Sequence, residues 1–415
     1  MARNKKSANR LKKTALICCL CGILLVTSTY AWFIGMQSVF VTQFDVKIAA
    51  AEGLELSMDG ETWTENLDAK GSEAYEGNTN TWAEKGLIPM STVGDTDADA
   101  SEMILFEKGS LTATKGGYRL LASRVNYATT ADDLKDGKGY VAFDLFIRNK
   151  SGEEYYATND VANEEAIYLT DDSKVVVAAA GASGSDDGGV AGTGIENSVR
   201  VGFVQIGRVE QDGAAVANIT GITCKDNEDT GVTGICRTAT IWEPNDMAHV
   251  DNAINWYKEA CLKRTGDDVT DASYSYDPEV ACNSVTNNKA YTTYAVANEL
   301  KVGSNVDVYD GDDYNTYTKN RVAAATYFGK DYTNSGSKLV AMDYFTYTEK
   351  VKNGTERPTF MTLAPNSVTK VRVYVWIEGQ DIDNYDFSSL GKQVSINFGF
   401  TKERFEQSEI ITPGA

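Results

Sequence analysis

The chain has 415 residues, a formal charge of −20, 22 Tyr, 36 Gly, 6 Pro and one histidine, His249. Such acidity argues against nucleic acid or anionic lipid as a partner, because a polyanion is repelled. A single histidine excludes H-E-x-x-H zinc hydrolysis and any multi-histidine metal site, and a Tyr-, Val- and Gly-rich, Pro-poor composition argues for β-structure over a disordered stalk.

At the N-terminus, Arg3, Lys5, Lys6, Arg10, Lys12 and Lys13 form a basic run, and Thr14 to Val26 is an apolar one. This order is an export signal, the cationic end held inside and the apolar part entering the membrane. Small Thr29 and Ala31, within Thr29-Tyr30-Ala31-Trp32-Phe33, occupy the −3 and −1 positions of an A-x-A-like cleavage site. Left uncleaved, Thr14 to Met36 is long enough for an anchor, which needs roughly 20 residues. Thr27, Ser28 and Gly35 dilute its second half and favour cleavage. Residues 1–32 are therefore read as a signal peptide or an uncleaved membrane anchor, and 33–415 as an ectodomain that touches membrane only through that segment.

Phe44, Val46 and Ile48 share one strand face, Leu54 and Leu56 continue past Gly53, and Asp59-Gly60 is a hairpin signal. From Trp63 to about residue 100 the chain is polar, with loops and short strands expected. Tyr140 to Arg148 is the clearest strand: Val141, Phe143, Leu145 and Ile147 point one way, and Ala142, Asp144, Phe146 and Arg148 the other. Asn149-Lys150-Ser151-Gly152 ends it with turn chemistry. Ala166 to Leu169 and Lys174 to Val177 are further strands. Ser198 to Ile206 alternates through Val199, Val201, Phe203 and, after a slip, Ile206.

The pattern changes over about 208–345, read as a partly helical insertion with a short helix at Asp251 to Leu262. It holds Cys224, Cys236, Cys261 and Cys282, an even number in an exported chain. Three pairings are open; short loops favour Cys224–Cys236 with Cys261–Cys282, and the missing C-x-x-C spacing argues against zinc. Strands resume at Lys370 to Glu378, with Val371, Val373, Val375 and Ile377 opposite Arg372, Tyr374 and Trp376, and at Val394 to Phe400. Regular strands between turn clusters describe an all-β sandwich carrying an elaborated, disulfide-containing insertion.

Catalytic signals are sparse. His249 has no G-x-S-x-G elbow to serve and is read as structural, and no P-loop is present. The chain is therefore expected not to be an enzyme and to need no cofactor, calcium excepted. Asp307, Asp310, Asp312 and Asp313 around Gly311 are the best calcium candidates, with solvated loop acids as the default. Trp376, Tyr374, Trp242, Tyr155 and Tyr156 are either a sugar-stacking platform or, more ordinarily, sandwich core.

Thr29-Tyr30-Ala31-Trp32-Phe33 followed by an amphipathic strand resembles the TasA/camelysin group of Gram-positive exported proteins, whose alternate signal peptide is processed by a dedicated, SipW-type signal peptidase. Phe143 to Ser151 is similar to the strand-plus-Asn turn early in those sandwiches. Val373 to Asp381 and Ile396-Asn397-Phe398 resemble terminal strands of related clostridial proteins. The resemblance implies a jelly-roll-like sandwich at the cell surface or in the extracellular matrix, self-associating into fibres as an N-terminal strand completes the next subunit's sheet. Here that donor strand would comprise Val39, Val41, Phe44, Val46 and Ile48. The chain departs from the group in its length, its four exported cysteines and its insertion. The alternative expectation is a monomeric surface adhesin that binds glycan or a host protein through the insertion, Trp242 included.

Overall fold

The structure, a computed structural model, describes most of residues 44–70, 87–124, 139–177, 190–255, 359–384 and 394–402, and the backbone of short strands between 294 and 347. Two sheets face each other. In chain order their main strands are β1 (Phe44–Ala50), β2 (Leu54–Ser57), β3 (Asn66–Lys70), β4 (Val141–Asn149), β5 (Glu165–Leu169) and β6 (Lys174–Val177). They continue with β7 (Val199–Glu210), β8 (Thr240–Glu243), β9 (Met361–Leu363), β10 (Ser367–Glu378) and β11 (Val394–Thr401). The large sheet runs β2–β4–β10–β7–β8 and the small one β9–β5–β11–β1–β3, with β6 also on β11.

Period-two alternation makes this a sandwich. Val371, Val373, Val375 and Ile377 of β10 join Val141, Phe143, Leu145 and Ile147 of β4 to meet Val394, Ile396, Phe398 and Phe400 of β11. Phe203 sits at the centre, edge-on to Phe360 at 4.8 Å and to Phe398 at 5.1 Å. Each such fully buried side chain contributes about 1.5–3 kcal/mol.

The opposite face of the large sheet is also buried. Phe146, Val204, Ile206, Tyr374 and Trp376 pack there against Met90, Met103, Ile219, Ile222 and Val232. β10 is consequently buried along its whole length, polar residues included.

Two expectations change. Ile206 does not rejoin the Phe203 face: the register shift falls between Gln205 and Gly207, Ile206 enters the second core, and Arg208 takes the sandwich face instead. Gln205 Nε2 accordingly reaches Thr362 O in β9 at 2.6 Å, and Arg208 pairs with Glu164 just before β5. The boundary at about 208 falls inside β7, and the expected insertion supplies sheet strands. β8 pairs with β7, Phe345–Tyr347 lies parallel to β8, and Arg321–Ala324 extends the Phe106–Arg124 hairpin on the same sheet. Residues 251–255 are helical, and the rest of the expected helix to Leu262 lies outside the described residues.

Candidate functional site

β1 lies parallel to β11 on one side and antiparallel to β3 on the other. Val46 and Ile48 are buried opposite Ile396 and Phe398, while Lys47 and Ala49 face out. Phe44, Val46 and Ile48, expected as a donor for a neighbouring subunit, are thus seated in their own chain's sheet. The reason is ordinary amphipathic burial: the same alternation that suits a neighbour's groove suits this one. Val39, Val41 and the cleavage residues Thr29, Tyr30, Ala31, Trp32 and Phe33 lie outside the described residues, as do Cys261, Cys282, Asp307, Asp310, Asp312 and Asp313.

The outer face of the small sheet forms a shallow open groove, where Lys47, Asn66, Asp68, Asp172, Lys174 and Asn397 alternate in charge. The candidate aromatics are elsewhere, and three of them are buried. Trp242 is fully enclosed in the first core, 6.3 Å from Phe398, and Trp376 in the second. Tyr374 is stacked 6.1 Å from Tyr140 and accepts from Met103 N at 3.0 Å, and burial pushes its phenol up. These three make core rather than a sugar platform; Tyr156 stays exposed.

Cys224 and Cys236 form a disulfide, Cα atoms 5.0 Å apart. It closes a turn bridged by Asn227 and Val232 and docked on β7 through Thr233–Gly234.

The chemically richest cluster was not anticipated. Arg200 of β7 is fully buried, paired with Glu243 at the end of β8 and with Asp381 in the turn after β10. Its cationic form is stabilised against burial by Glu243, Asp381 and Glu378. Asp381 Oδ1 accepts from Asp383 N at 2.8 Å, and Asp383 accepts from Val250 N at 2.9 Å and lies 2.8 Å from His249 Nδ1. Burial, opposed by His249 and reinforced by Asp381, pushes Asp383 up to about 6. The ligand atoms of His249, Asp381 and Asp383 lie within 4.8 Å of one another, a spacing that suits a divalent cation. The same oxygens already accept hydrogen bonds that close the turn, so the cluster also serves as a latch for the C-terminal end of β10. A sequence separation of 134 between His249 and Asp383 leaves no spacing motif to find.

A second buried group sits under the second core. Asp144 accepts from Arg372 Nε at 2.6 Å and Nη2 at 3.1 Å, with Lys370 Nζ also at 3.1 Å. Burial pushes the Asp144 carboxyl up, but Arg372 and Lys370 hold it below the ordinary range.

Among the described residues, no helix is long and apolar enough to cross a membrane. No protein-family model, curated protein or solved structure matches this chain.

Proposed function

We propose that this chain is an exported, non-enzymatic surface or matrix protein of a Gram-positive bacterium that self-associates by exchanging its N-terminal strand. The observation that carries the reading is the place of β1. It is the first described strand, it follows the cleavage region read from the sequence, and it fills a slot between β11 and β3. Cleavage near Ala31 by a dedicated signal peptidase frees the chain ahead of β1. The β1 of one copy then occupies the β11–β3 slot of the next, with the same register and the same burial of Val46 and Ile48. The donor is therefore β1 together with the residues ahead of it, and assembly competes with closure within one chain. The enclosure of Trp242 takes away the one residue named for the alternative adhesin reading and so favours the structural one.

The test is electron microscopy of the secreted protein whose new N-terminus has been sequenced. Fibres that disappear when residues 33–50 are deleted support the reading. Monodisperse monomers at every concentration and pH overturn it.

A further inference from the structure

Where the two sheets meet at one end of the sandwich, β4 ends on Asn149, β5 begins with Glu165 and Lys402 follows β11. Asn149 is fully buried. Its Oδ1 accepts from Lys402 Nζ at 2.7 Å, from Ser151 Oγ at 2.8 Å and from Ser151 N at 3.3 Å. Its Nδ2 donates to Glu165 Oε2 at 2.8 Å and to Ala364 O at 3.0 Å. Glu165 Oε2 also stands 3.0 Å from Lys402 Nζ and accepts from Ser151 Oγ. One carboxylate oxygen therefore touches both an amine and the nitrogen of an amide whose carbonyl that amine already contacts.

We propose that Lys402 and Asn149 join in an intramolecular isopeptide bond, with Glu165 as the proton-transfer group. Glu165 takes a proton from the Lys402 ammonium. The free amine turns from the Oδ1 lone pair to the face of the amide and attacks Cγ; the Nζ–Cγ bond forms and the carbonyl π electrons move to Oδ1. Ser151 N–H points at that oxygen and stabilises its charge, and the one Ser151 hydroxyl proton, within reach of both Oδ1 and Glu165 Oε2, turns to it. Glu165 then hands its proton to Nδ2, the Cγ–Nδ2 bond breaks and ammonia leaves. The second proton on Nζ passes through Glu165 to the departing ammonia. The sum is an ammonium side chain plus a carboxamide giving a secondary amide plus ammonium, with no oxidant or co-reactant.

Glu165 serves by position, with Oε2 at 2.8 Å from Asn149 Nδ2 and 3.0 Å from Lys402 Nζ. Burial pushes its carboxyl up, but hydrogen bonds from Ser151, Asn149 and Lys402 outweigh this and hold it below its ordinary value, so it starts ionised and is a weak base. Lys370 and Asp144 are an instructive contrast. They approach to 3.1 Å in a more buried place, yet Arg372 grips both Asp144 oxygens, and an ionised carboxylate is a poor electrophile. The Lys402–Asn149 bond spans a sequence separation of 253 and ties the last strand of the small sheet to the large sheet. It is independent of self-association.

The experiment is mass spectrometry of the full chain after reduction, intact and as a tryptic digest. The expected result is a mass about 17 Da lower than in a Lys402→Arg variant corrected for the substitution, corresponding to one lost ammonia, with a branched peptide containing Lys402 and Asn149. Lys402→Arg keeps the positive charge beside Glu165 and Glu165→Gln keeps a hydrogen-bonding side chain. Both should fold by circular dichroism and carry unbranched peptides. Separate, unmodified Lys402 and Asn149 peptides from the wild-type chain, or an ammonia loss that persists in Lys402→Arg, overturn the proposal.

Discussion

Among the described residues, Asp383 is set apart from the other shifted carboxyls by the sign of its shift. Asp59 is partly desolvated, but backbone N–H groups of Thr62 and Glu61 and the Ser57 hydroxyl bring it down to about 2, and Asp144 and Glu164 are also lowered by their partners. Those three contribute stability that is full above the unfolded value near 4 and is lost as pH falls through the folded one. Asp383 moves from 3.8 to about 6. Between those values the unfolded chain has released a proton that the folded chain keeps, so its contribution declines as pH rises and levels off above about 6. The full effect is at most about 3 kcal/mol. Asp383→Asn removes this titration. The melting temperature of the wild type minus that of Asp383→Asn should therefore fall between pH 4 and 6 and then stay flat; a difference independent of pH would refute the assignment. Alternation in β10 correctly grouped Arg372 with Tyr374 and Trp376, but it cannot tell whether the face they share meets water. A second layer built from residues 90–105 and 219–239 covers that face, and this is why Asp144, paired with Arg372, is buried rather than solvated.

Strands with strict period-two patterning were legible almost to the residue: β4, β10 and β11 stand within three residues of the bounds read from the sequence. The bulge in β7 was placed too early, because its cause lies outside the strand. A Cβ on Gly207 would stand 2.6 Å from Thr223 O and 2.9 Å from Thr233 O, so the disulfide-closed turn presses backbone against backbone there. Gly234 is tighter still: its Cβ would lie 2.0 Å from Cys224 O. Gly234→Ala must push this turn off β7 and should cost about 1–3 kcal/mol, read as a lowered urea midpoint. An unchanged midpoint would mean that the turn docks more loosely than its contacts imply. None of this was visible in a local window, since each contact joins segments that no periodicity relates. The same holds for the latch of Arg200, Glu243, Asp381, Asp383 and His249, whose members come from β7, β8, the turn after β10 and the residues before 251–255.

The full chain carries −20, and cleavage near Ala31 would remove six cations and leave −26, a charge that makes copies repel one another. The proposed self-association through β1 would therefore depend on screening, because like-charged copies must come together through contacts that are apolar and backbone. Assembly followed by light scattering should accelerate as salt rises, and again as pH is lowered toward the sequence pI of about 4.6. Assembly slowed by salt would point instead to attraction between charged faces. Export, cleavage and self-association remain expectations drawn from the N-terminal residues and the resemblance, whereas the fold was read from the strands that follow; Val46 and Ile48, buried in β1, stand where the two readings meet.

The parallel pairing of β1 with β11 also has a mechanical consequence. Seven register pairs, from Phe44–Val394 to Ala50–Phe400, run in one direction. The chain arrives at one pole at Phe44 and departs at the other after Thr401. A pull applied through these two points strains the seven pairs together, in shear, whereas an antiparallel hairpin loaded at its open end unzips one pair at a time. Tension along an exchanged β1 would meet the same geometry between subunits, so the strand that joins them would be loaded in its strongest direction.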